Sequence, residues 1–173
     1  HLSMAFIILG LSFWTAMDLY EGPVKKINLF DKIPIIFISL TIIAGTFVSG
    51  MDAGLVYNSF PYMGETIIPI EYGSLGIIDP FENPVSAQFH HRLLATLTLV
   101  IIILYFIIYI LKNEINRRII VLSIAILCQF IIGVFTLLYS VPIVLGAIHQ
   151  FGGVILFLSS LWLLHFQKGK YSS

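Results

Sequence analysis

The chain has a single cysteine, Cys128, among its 173 residues. It lies in an apolar run, so no disulfide within the chain and no cysteine-based metal site can form. Charge is also scarce: Asp, Glu, Lys and Arg make up 10% of the residues and balance to a formal net charge of zero. Nothing in that balance points to nucleic acid or to an acidic substrate surface. Also missing are the short alternating segments of a closed strand barrel, the other structure that spans membranes. The sequence is instead 58% hydrophobic, far more apolar than a soluble domain.

Apolar stretches of about 20 residues cross roughly 30 Å of hydrocarbon as a helix. Five occur, over residues 2–19, 33–50, 87–111, 119–139 and 143–166, continuous and rich in Ile and Leu. The expected fold class is an all-α membrane protein with five transmembrane helices. Lys and Arg set its orientation. Lys25, Lys26 and Lys32 fall in the first connection or at its end, Lys112, Arg117 and Arg118 in the third, and Lys168 and Lys170 in the tail. The second connection, 51–86, has none, and neither has the turn Ser140, Val141, Pro142. Alternate connections are thus basic, which places the C-terminus on the cytoplasmic or matrix side and residue 1 on the outer side. His1 runs straight into a spanning segment with no initiator Met, signal peptide or polar leader, and the chain reads as a truncated protein.

An ionisable side chain inside hydrocarbon is costly enough to suggest function. His91 and His149 stand near the starts of the third and fifth spans, which run in parallel from the same side, so the two can meet at one depth. Imidazole is a common axial ligand of haem iron, and this is the layout of a haem held between helices. Gly146, Gly152 and Gly153 share a face with His149, at i−3, i+3 and i+4. That stripe lets a flat macrocycle approach the backbone, or serves helix packing. His90 and His91 point about 100° apart. His91 shares its face with Leu94, Ala95 and Thr98, His90 with Leu93, Leu94 and Leu97, and the smaller, more polar set favours His91 as the inward one.

Arg92 sits unfavourably near a helix N-terminus and calls for a partner: a haem propionate, Asp79 or Glu82, or the lipid headgroups and water. His1 would join His91 and His149 in the outer layer, whereas His165, beside Gln167 and Lys168, reads as an interfacial residue. The connection 51–86 is too rich in Tyr, Phe, Pro and Ile to be a disordered linker. It fits a lid over an outer site and equally an interfacial aromatic loop.

Several strings together resemble haem A synthase of the mitochondrial and alphaproteobacterial type. They are Gly50–Met63 in the outer loop, Phe81, Glu82 and Asn83, then Gln88 through Ala95, Ala147 through Gln150, and His1, Leu2 leading into Trp14–Leu19. The resemblance runs the length of the chain in order. It implies eight helices in two four-helix halves, of which residues 1–32 would be the last helix of the N-terminal, substrate half and its connection. Residues 33–173 would be the complete C-terminal half, a four-helix haem-binding bundle with outer loop 51–86. It further implies haem B held by His91 and His149, with His1 the counterpart of one ligand of the substrate haem O. The activity implied is an oxidoreductase step of haem A biosynthesis for cytochrome oxidase, taking a methyl group of haem O to the formyl group of haem A. This fragment alone is expected to be inactive. The implied setting is a bacterial cytoplasmic or mitochondrial inner membrane, and the partners are haem and membrane lipid, with room for a homo-oligomer and an electron acceptor of unspecified identity. The paired cysteines of some bacterial members are absent from residues 51–86. The alternative is a bis-histidine electron-transfer subunit of the cytochrome b kind. A structural or transport bundle with merely buried histidines is a third reading.

Overall fold

In hydrocarbon no water pairs a free N–H or C=O, so each apolar stretch closes its backbone hydrogen bonds on itself. The computed structural model describes residues 2–23, 27 and 29–166. It contains helices α1 (Leu2–Glu21), α2 (Leu29–Gly50), α3 (Asp79–Glu82), α4 (Pro84–Leu111), α5 (Arg117–Leu138) and α6 (Ile143–Phe166). All except the single turn α3 are long and apolar enough to cross a membrane, and they are the five expected spans. The protein is a helical membrane protein.

Helix starts follow capping chemistry. Asn83 Oδ1 accepts from the Val85 N–H at 3.0 Å, and Asn116 Oδ1 accepts from the Arg118 and Ile119 N–H groups at 2.9 and 3.2 Å. Each cap carries its helix back beyond the first apolar residue. Helix α2 begins ahead of its apolar run and takes in Pro34. Proline there removes the N–H that would bond the Phe30 carbonyl. The Tyr105 hydroxyl supplies a replacement, donating to Phe30 O at 2.9 Å, which ties α2 to α4.

Helix α2 pairs with α4 and α5 with α6; α4 against α5 and α2 against α6 close these two hairpins into a four-helix ring. Ile38, Ile102, Ile119, Leu122 and Leu156 fill its core. Helix α1 lies outside the ring, mainly against α6. Exposed Ile7, Leu11, Leu104, Ile124 and Ile131 form the kind of apolar surface that lipid covers.

At one end of the bundle the connection between α2 and α4 folds back onto the helices. Ala53 and Met63 are buried, and Asn58 Nδ2 donates to the Gly54 and Leu137 carbonyls at 2.9 and 3.0 Å. Asp79, only 2% exposed, accepts from the Gly73 and Leu75 N–H groups at 2.8 and 3.0 Å, from Asn83 Nδ2 at 3.0 Å and from the Ser86 hydroxyl. Burial alone would raise its carboxyl, but the bonds from Ser86, Asn83 and the two amides outweigh that and hold it well below the usual carboxylate range.

At the opposite end His165, in the last turn of α6, is fully buried within the protein. Its Nε2 lies 3.0 Å from Asp18 Oδ1 and its Nδ1 3.3 Å from Glu21 Oε2. Glu21 also pairs with Arg118, whose guanidinium lies over the Trp162 and Phe166 rings. The side chains of α1 thus give His165 the shelter and polar partners that sequence position alone did not reveal.

Candidate functional site

His91 and His149 stand near the starts of α4 and α6, helices diagonally opposite in the ring, and both line one cavity of about 450 Å³ inside the bundle. Their ring centroids are 6.5 Å apart with the planes nearly perpendicular, at 89°. Each ring lies on a glycine of the preceding helix in its hairpin. A Cβ on Gly45 of α2 would come within 3.1 Å of His91 Cε1, and one on Gly133 of α5 within 2.8 Å of His149 Cε1. Both glycines keep space for an imidazole. His91 Nδ1 is 3.1 Å from the Thr41 carbonyl oxygen; that oxygen only accepts, so Nδ1 carries the proton and Nε2 is left with a lone pair. His149 Nδ1 is 3.2 Å from Gln129 Nε2.

This arrangement fits a metal centre held between two imidazoles. The Thr41 contact keeps the His91 proton on Nδ1, which leaves Nε2 free to hold a metal. The cavity volume also falls within the range of roughly 300–1,000 Å³ typical of cofactor pockets.

Other sequence candidates divide around this cavity. Gly146 and Gly153 line it, whereas Gly152 faces the Gln129 amide and is not part of the cavity wall. His90 turns away: its Nδ1 is 2.7 Å from the Ser86 carbonyl oxygen and its ring packs with Tyr72 and Phe89. Arg92 lines the cavity, and its guanidinium donates to loop carbonyls, those of Tyr57 at 2.6 Å and Ser59 at 2.9 Å. Its Nε is buried without a partner. The suggested pairing with Asp79 is not made, because that carboxylate is enclosed by its own donors. Neighbouring Gln88, 2% exposed, donates to the same Tyr57 carbonyl at 2.9 Å while its Oε1 is unpaired. The Tyr57 hydroxyl donates to Glu71, which raises the phenol above its ordinary value. His1 lies outside the described residues.

Sequence reasoning missed Gly45, Gly133, Thr41 and Gln129. One signal was present. Gln129 interrupts a long apolar run, and a polar amide at membrane depth calls for a partner.

A family model described as cytochrome oxidase assembly protein, COX15-CtaA, matches residues 1–161. The chain belongs to this family. It is 39% identical over 177 residues to Heme A synthase of Pelagibacter ubique, covering 97% of this chain and 51% of that protein. It is 41% identical over 178 residues to Heme A synthase of Rickettsia bellii strain OSU 85-389, with 94% and 52% covered. The human Heme A synthase COX15 is 36% identical over 180 residues, with 95% and 43% covered. The chain spans about half the length of these relatives. No solved structure is significantly similar to it. The half-buried histidine pair, the polar groups at the loop end and the apolar walls are therefore features of a chain in the cytochrome oxidase assembly family.

Proposed function

We propose that this chain is the haem B-binding portion of a haem A synthase, an oxidoreductase that takes a methyl group of haem O to the formyl group of haem A. The observation that carries the reading is the His91–His149 pair, 6.5 Å between ring centres, in a cavity of a chain whose relatives carry the name Heme A synthase. His91 and His149 would hold the haem iron, and Gly45 and Gly133 keep the ring positions clear. When bound, the haem supplies one-electron chemistry. Arg92 offers its unpaired Nε to a haem propionate, a charge-assisted contact of the strong kind. The connection 51–83 covers that end and limits water. Arg92 is the only Lys or Arg between residues 33 and 111, which supports an outer position for the loop end and a cytoplasmic or matrix C-terminus.

Changing His91 or His149 to Ala should abolish a low-spin bis-histidine spectrum, while His90→Ala leaves it intact. Arg92→Ala should keep the spectrum but weaken haem retention and shift the reduction potential. A normal spectrum in His91→Ala overturns the assignment. The substrate haem O needs ligands of its own, for which the family resemblance offers only His1 here. Residues 1–173, expressed in a host that makes haem O but lacks its own synthase, should bind haem B and yield no haem A by chromatography of extracted haems. Haem A from this chain alone would move the substrate site into it.

A further inference from the structure

The two hairpins of the ring share a register. In each, a glycine five residues before the end of the first helix lies beneath a histidine of the second. In each, the residue four positions before that glycine reaches the histidine Nδ1: Thr41 reaches His91, and Gln129 reaches His149. The equivalent positions carry different chemistry. Thr41 presents a backbone carbonyl, which only accepts, whereas Gln129 presents a side-chain amide, which donates or accepts.

Gln129 Nε2 lies 3.2 Å from His149 Nδ1 and donates to the His149 carbonyl at 2.8 Å, while Gln129 Oε1 is buried with no partner. An amide N–H donating to Nδ1 leaves the ring proton on Nε2. A metal bound at Nε2 requires the reverse, with the proton on Nδ1 and an acceptor facing it. The unpaired Oε1 is such an acceptor on the same amide. Its room comes from α6: a Cβ on Gly152 would overlap Oε1, and one on Gly153 would lie 3.6 Å from Nε2.

We infer that Gln129 is a positioning residue with two settings, its amide donating to His149 Nδ1 while the ring nitrogen Nε2 is protonated and presenting Oε1 to Nδ1–H when Nε2 is given to iron. This rests on the reading of His149 as an iron ligand. It makes His149 the adjustable ligand and His91, held by a backbone carbonyl, the fixed one.

The test uses the haem-loaded protein, with redox potentiometry, haem-retention measurements and electron paramagnetic resonance of the ferric state. Gln129→Leu should keep the low-spin spectrum but loosen haem about 10- to 100-fold, the effect of losing an outer-shell partner. Its midpoint should rise, because Nδ1–H without an acceptor makes imidazole a poorer donor to ferric iron; a tenfold weaker hold on the ferric form relative to the ferrous is about 59 mV. Gln129→Glu, which keeps an acceptor oxygen, should restore retention and place the midpoint below that of the wild type. An unchanged midpoint and retention in Gln129→Leu overturns the inference, as does a shift of both variants in the same direction, the mark of a packing defect. If Gln129→Leu does not accumulate, Gln129→Glu decides alone, and a midpoint not below the wild type overturns the inference. His149→Ala separates the two levels: a retained low-spin spectrum there defeats the ligand reading itself rather than the role of Gln129.

Discussion

A methyl group at position 133 would occupy space that the His149 ring already fills. The two ring cradles differ in tightness, 2.8 Å at Gly133 against 3.1 Å at Gly45, and that difference orders their substitutions. Gly133→Ala must displace the ring or the helix, at about 1–3 kcal/mol of overpacking, whereas a few tenths of an ångström of give accommodate Gly45→Ala. Haem titration followed by absorbance should therefore show a larger affinity loss for Gly133→Ala than for Gly45→Ala, with both proteins still folded by circular dichroism. Equal losses would mean that these glycines serve helix contact rather than the rings. The three glycines visible from sequence were found because they share a helix face with His149. Gly45 and Gly133 act on histidines of other helices, and no single-helix pattern reports a contact between helices.

At the scale of elements, the last part of the connection, 73–83, is gathered by one carboxylate. Asp79 gathers the Gly73 and Leu75 amides, Asn83 and Ser86, so it joins the 73–75 turn to the cap and first turn of α4. Its folded-state pKa lies below the ordinary value. The stabilisation is thus present above the unfolded carboxylate value of about 3.9 and is lost as pH falls through the lower folded-state value. Asp79→Asn should remove it at every pH. Amide exchange of residues 71–79 should be slow at neutral pH in the wild type and clearly faster in Asp79→Asn, with the α4 interior unchanged. Equal protection in the two proteins would show that the turn is held by something else. The cap at Asn83 and the aromatic content of the connection could be read from sequence; the inward turn of Asp79 could not, because its donors lie up to seven residues away on both sides.

Across the whole molecule, the last turns of α1 join the ring through a polar cluster. His165 reaches Asp18 and Glu21, Trp14 lies edge-on to its ring at 5.2 Å, and Arg118 closes the cluster from α5. Removing the imidazole strips two partly exposed carboxylates of a partner, a loss of about 1–3 kcal/mol. His165→Ala should lower the thermal midpoint in detergent and speed amide exchange in α1 more than in α4 or α5. An unchanged α1 would mean that its apolar contacts with α6, such as Phe6 edge-on to Phe157, hold it without the cluster.

Composition and hydropathy by themselves determined the class, the five spans and their approximate ends, because a backbone in hydrocarbon has one local solution and apolar length reports it directly. The family was legible in strings such as Gln88–Ala95, and the heavy polar cost of a histidine in a membrane made His91 and His149 stand out. Tertiary structure alone decided which groups surround those rings. It set Gly45 and Gly133 beneath them, gave Thr41 and Gln129 to their Nδ1 atoms, turned Arg92 toward loop carbonyls rather than Asp79, and buried His165 against α1. The physical reason is the same in each case: a side chain's partner across a helix interface depends on the depth and rotation of two helices at once, and neither helix encodes the other's.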